Sequence, residues 1–113
     1  MTRISKISEA LPAAVDEALI RLGRNIRTAR LRRRLTREDL AARIGISRQV
    51  LARIENGKPT TAVAAYLGAL WALGLLNQLK DVAAPDRDEE GKILERMRSP
   101  QTAPKRRKMD DDF

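Results

Sequence analysis

Leu35 to Pro59 reads L-T-R-E-D-L-A-A-R-I-G-I-S-R-Q-V-L-A-R-I-E-N-G-K-P, and this stretch decides the fold. Thr36 is an N-cap residue, and Asp39 three positions on completes a capping box, so a first short helix starts here. Leu40 and Ile44 are i, i+4 neighbours on its buried face. Ala41 beside them is small enough for a second helix to cross closely. Gly45 supplies the backbone freedom of a tight interhelical turn. Ser47 caps the next helix, Val50, Leu51 and Ile54 turn inward, and Asn56-Gly57 ends it. Arg48, Gln49, Ala52, Arg53 and Asn56 are left facing outward, at offsets that form one stripe along a helix.

The pattern predicts a helix-turn-helix whose second helix presents donors to base edges and phosphates, hence a DNA-binding protein. Its first turn would enter the major groove. Arg48 suits guanine O6/N7, and Gln49 pairs bidentately with adenine N6/N7. Arg53, one turn on, reads a base or clamps a phosphate, and Val50 touches a thymine methyl while also packing inward. Arg37, Asn56 and Lys58 sit at helix ends, where they position the backbone rather than read sequence; Ser47, mainly a cap, is grouped with these phosphate contacts. Any one of these arginines has an ordinary solvated role as its alternative, but caps, turn glycine and polar stripe agree in register.

Charge supports this reading. The chain of 113 residues carries a formal net charge of +8. Residues 21–58 hold 12 Lys/Arg against 3 Asp/Glu, so the excess lies on the motif and the helix before it. A basic balance also suits membranes or acidic partners, but its coincidence with the motif favours nucleic acid. The sequence has no Cys and no His, which removes disulfides, thiolate or imidazole catalysis and nearly all zinc sites. No cofactor, metal or enzymatic activity is expected. The first residues lack the apolar run of a signal peptide. Thr60 to Leu79 is uncharged, but its two glycines, its alanines and Asn77-Gln78 favour core helices over a membrane span.

Three segments are expected: a loose arm over 1–11, a domain over 12–83, and a charged, largely disordered tail over 84–113. Pro12 suits a first turn, and Val15, Leu19, Leu22, Ile26 and Ala29 recur at helical spacing up to Arg34, with Gly23 as a candidate break. A fourth helix should start near Thr60 or Thr61, bury Val63, Tyr66, Leu67 and Leu70, and end at Leu73-Gly74. A fifth, about Leu75 to Val82, places Leu76 and Leu79 on the bundle. The fold class is all-α: five helices with an extended first one and a flexible C-terminal tail. Trp71 reads first as core, or else with Tyr66 as a dimer contact. Asp88 to Arg98 offers one or two amphipathic turns through Ile93, Leu94 and Met97. Arg30 and Glu55 fall where the first helix meets the end of the second motif helix, predicting a partly buried ion pair that fixes their angle.

Residues Leu22 to Gly74 resemble the Cro/repressor (XRE) type of helix-turn-helix. The anchors are R-x-x-R-L-R-R-R-L-T-R-E-D-L-A, G-I-S-R-Q-V-L-A-R-I-E-N-G and L-G-A-L-W-A-L-G-L. The resemblance implies a five-helix domain, homodimers on palindromic double-stranded operators, base contacts at Arg48, Gln49 and Arg53, phosphate contacts at Arg37, Asn56 and Lys58, and a structural Arg30–Glu55 pair. Arg37 departs from many relatives, which carry Gln there. The flanks L-P-A-A-V-D-E-A-L-I-R-L-G-R-N-I-R-T-A-R-L-R-R, A-P-D-R-D-E-E-G-K-I-L-E-R-M-R and M-D-D-D-F are similar to HipB-type antitoxins. That likeness implies a bacterial cytoplasmic, nucleoid-associated repressor paired with a HipA-type Ser/Thr kinase toxin. Asp110, Asp111, Asp112 and Phe113 then read as a motif that docks on the partner, because an acidic run repels phosphate. Lys105 to Lys108 suits a phosphate backbone or an acidic surface. The alternatives are a stand-alone phage or metabolic repressor and a protein-interaction module.

Overall fold

The computed structural model describes residues 11–98. Asp110 to Phe113, Lys105 to Lys108 and nearly all of the expected N-terminal arm lie outside the described residues. The all-α expectation holds: five α-helices and two 3-10 helices, with no strand among the described residues. The contacts divide the chain into two units, 1–77 and 78–113.

In the first unit α1 spans Ala13–Arg32. Pro12 stands just outside it, and its carbonyl accepts from Val15 N at 3.0 Å. The expected inward stripe holds at Ile26 and Ala29, with Leu19 and Leu22 half-buried and Val15 exposed. Gly23 is not a break. A Cβ there would stand 2.5 Å and 2.6 Å from the carbonyl oxygens of Ile54 and Glu55. The missing side chain lets another helix end against α1, and the helix runs through uninterrupted.

α2 (Arg37–Ile44) opens with the expected capping box: Asp39 N donates to Thr36 Oγ1 at 3.0 Å and Thr36 N to Asp39 Oδ2 at 2.9 Å. Hydrogen bonding to the carboxylate favours its charged form, so Asp39 sits below its ordinary pKa, through the Thr36 backbone N–H first, then the Thr36 side chain, with Arg43 adding to the effect. Gly45 ends the helix at φ +87°, a conformation that a Cβ would strain. α3 (Arg48–Glu55) starts on Ser47, whose hydroxyl accepts from Val50 N at 3.1 Å.

α4 spans Val63–Ala72 and stops at Leu73-Gly74. It begins after Thr60 and Thr61, and Val63, expected inside, is 71% exposed. Tyr66 and Leu70 are buried, and Leu67 is half-buried. Trp71 is not core: it is 61% exposed. The two aromatics of this helix lie on opposite sides, because five positions at 100° each turn Trp71 away from Tyr66. Tyr66 packs inward and donates its hydroxyl to Lys58 O at 3.1 Å, and burial raises its pKa.

α1 packs on α3, α2 on both α3 and α4, and α3 on α4. The core is aliphatic, with Ile26, Leu40, Leu51 and Ile54 fully buried. Burying each such side chain stabilises by about 1.5–3 kcal/mol.

The expected fifth helix is a 3-10 helix, Leu76–Asp81, and Leu76 is exposed. In the second unit a 3-10 turn at Pro85–Arg87 precedes α5 (Glu89–Arg98). The one or two turns expected here are a ten-residue helix. Asp88 begins it, accepting from Gly91 N at 3.0 Å. Ile93, Leu94 and Met97 are exposed.

Candidate nucleic-acid interface

The site is α3 with the residues that frame it. Leu51 and Ile54 anchor one side of this eight-residue helix in the core. The opposite side carries Arg48, Gln49, Arg53 and Asn56, all exposed, with Ala52 and Val50 half-buried. Four of the five stripe residues read from the sequence therefore form an exposed polar ridge, and the fifth, Ala52, is half-buried within it. Asn56 is also the C-cap, its N–H donating to Ala52 O at 3.0 Å. Lys58 follows, exposed, with its backbone N–H on Arg53 O at 3.0 Å and its carbonyl held by Tyr66. Ser47 is exposed; its hydroxyl oxygen accepts from Val50 N at the helix start, which leaves its O–H to donate outward.

The far end of α3 is pinned. Arg30 places Nε 2.7 Å from Glu55 Oε2 and Nη2 3.1 Å from Oε1, a two-pronged contact, while its Nη1 donates to Leu35 O at 2.9 Å. The two side chains are 7% and 1% exposed, so the pair is more deeply buried than the sequence implied. One guanidinium thus joins α1, the α1–α2 turn and the end of α3. Charge-assisted forks of this kind fix orientation as well as distance.

Arg37 has a partner that the sequence did not predict. Its Nε lies 3.1 Å from Glu55 Oε1 and its side chain is 33% exposed. Arg37 is a second partner of the buried carboxylate, whatever else its outer amines reach. Glu55 therefore carries two arginines, and the cluster bears net positive charge beside the ridge. The contact spans 18 positions between two helices, and no local spacing signals it. A departure noted at the sequence level, Arg where Gln is common, was the available hint.

The near end of α3 differs. Arg48 Nε lies 3.2 Å from Glu38 Oε2 on α2, with side chains 61% and 66% exposed. Exposed pairs like this contribute about 0–1 kcal/mol to stability. Sequence reasoning missed Glu38 as well.

Among the described residues no group of three His, Cys, Asp or Glu side chains gathers to hold a metal ion. No helix among them is long and apolar enough to cross a membrane.

Residues 26–65 match the family model described as helix-turn-helix, HTH_3, of the XRE type. The matched span runs from the middle of α1 to the start of α4 and contains the whole ridge and the Glu55 cluster. The family is one of DNA-binding regulators and is generally non-enzymatic. No curated protein and no solved structure matches the chain.

Proposed function

We propose that this chain is a sequence-specific transcriptional repressor that lays α3 in the major groove of operator DNA. One observation carries the reading: a solvent-facing ridge of Arg48, Gln49, Arg53 and Asn56 stands on a helix whose C-terminal end is locked by Arg30, Glu55 and Arg37. A locked helix is already in place when the duplex arrives, so binding has only its exposed side chains left to order. Arg48 takes guanine O6/N7, Gln49 adenine N6/N7, and Arg53 a base or the adjoining phosphate. Val50 reaches a thymine methyl from the edge of the ridge. Arg37, Ser47, Asn56 and Lys58 follow the phosphates, which sets register.

The repressor works as a homodimer on a two-fold operator. An eight-residue reading helix covers few base pairs, and two copies double the contacts. The exposed Val63 and Trp71 of α4, with half-buried Leu67 between them, offer apolar surface for such a contact.

Its regulatory setting is a toxin–antitoxin operon, with this chain as the HipB-like antitoxin that restrains a HipA-type kinase and represses the shared promoter in the bacterial cytoplasm. The likeness of both flanks to such antitoxins supports this setting, together with a C-terminal Asp110 to Phe113 motif whose acidity suits a basic protein groove better than DNA.

The groove assignment is tested by selecting a duplex from a random pool with the full chain, then titrating binding against salt. Lys58→Ala should weaken specific and random duplexes alike and lower the salt slope by about one. Binding that ignores salt would instead favour a protein-interaction module. The antitoxin setting is tested by purifying the tagged chain from its native host. A kinase-sized companion, retained by the full chain and lost on deleting 105–113, is the expected result. Full retention after that deletion contradicts the docking motif, and the absence of any companion leaves a stand-alone repressor.

A further inference from the structure

We infer that Glu38 is a positioning residue for Arg48 and, through it, a determinant of which base the ridge selects. The inference rests on the DNA-reading role proposed for α3 and names a residue which that reading leaves out.

Residues 21–58 contain three acidic side chains, and two have structural tasks. Asp39 closes the capping box of α2, and Glu55 is buried beneath Arg30 and Arg37. Glu38 is the third. It is exposed, makes no cap, and sits in the first turn of α2 beside the ridge. Standing in a face that meets phosphate, a free carboxylate there weakens binding to every duplex. Among the described residues its one ion pair is with Arg48, the first residue of α3, at 3.2 Å.

The geometry of that pair gives the carboxylate a use. Glu38 approaches Arg48 through Nε, on the stem side of the guanidinium. The terminal amines form the fork that matches guanine O6 and N7, the ion pair is made at Nε instead, and the side chain as a whole is 61% exposed. Arginine at a helix start otherwise samples many rotamers, and each one frozen on binding costs affinity. A carboxylate at Nε narrows those choices before the duplex arrives. It also neutralises part of the attraction between Arg48 and any phosphate, which biases the side chain toward a base edge. Glu38 therefore trades general affinity for discrimination.

A charge that merely favours the start of α2 makes a different prediction, so the two accounts separate cleanly. The probes are a duplex selected from a random pool by the full-length wild-type chain, and a random-sequence duplex of equal length. Glu38→Ala should weaken binding to the selected duplex and spare or tighten the random one, so that their affinity ratio falls by up to about 5-fold, the most an exposed ion pair supplies. Glu38→Lys should lower the ratio further while tightening the random duplex. Repeating the selection with Glu38→Ala should erase preference at the same base pair that Arg48→Ala erases. The double variant should discriminate no worse than Arg48→Ala alone. Thermal melts of each variant check that the fold is retained.

If Arg48→Ala abolishes the ratio while Glu38→Ala shifts both duplexes equally, Glu38 is only a surface charge and the inference fails, with the reading of α3 intact. If Arg48→Ala itself leaves the ratio unchanged, the reading of α3 fails and takes this inference with it.

Discussion

The two ends of α3 use the same chemistry for opposite purposes. At its C-terminal end Glu55 lies under Arg30 and Arg37, with carboxylate and first guanidinium 1% and 7% exposed. At its N-terminal end Arg48 meets Glu38 with both side chains open to water. Burial decides what an arginine–glutamate pair does. Desolvated and forked, the pair fixes an interhelical angle, and removing one partner strands a charge. In water the pair contributes little to stability and, held at Nε, leaves the outer amines of its arginine for a new partner. The helix proposed to read DNA has one end of each kind.

The sharpest way to break this contrast is to remove the buried carboxylate. Glu55→Ala leaves Arg30 in a dry site and should destabilise by about 3–5 kcal/mol, read as a fall in denaturant midpoint at unchanged slope. Next comes the place where α3 ends on α1. Gly23→Val puts side-chain atoms where the carbonyls of Ile54 and Glu55 already stand, costing about 1–3 kcal/mol; a calorimetric melt should show a lower, still cooperative transition.

Caps come third. Thr36→Ala removes an acceptor from the start of α2 and should cost about 1 kcal/mol. The same box gives a pH signature. Asp39 titrates below its ordinary value of 3.8 in the folded state, so the folded state holds fewer protons than the unfolded chain in that range. Its contribution is present above the unfolded value and is lost as pH falls through the lowered folded one. The stability gap between wild type and Asp39→Asn should therefore close on acidification below about pH 4. Smallest of all, Arg48→Ala should change stability by less than about 1 kcal/mol, and a double-mutant cycle with Glu38→Ala should find weak coupling in the free protein. A strong coupling there would erase the distinction between the two ends.

What the sequence disclosed follows the same division. The capping box, the Gly45 turn, the Ser47 cap and the polar ridge are relations between residues three to eight apart, and each stands where the spacing put it. The Arg30–Glu55 pair was legible because both residues fall where two predicted helices meet. The uncharged segment from Thr60 to Leu79 gave no such guidance. With almost every position apolar, periodicity could not say which side faced the core, and Val63 and Trp71 turned out exposed. Gly23 read as a weak point in a helix because a sequence does not show the backbone that crosses it. Arg37 and Glu38 escaped for the same reason: their partners are 18 and 10 positions away on another helix, and only the packed structure brings them together.

The central claim is that Arg48 meets a base edge from the exposed end of a locked helix. Interference by guanine N7 methylation on the selected duplex tests it most directly, comparing wild type with Arg48→Ala. Methylating one guanine per half-site should block the wild-type chain, and the variant should be indifferent to that methyl group. The same interference pattern for both proteins would contradict the assignment.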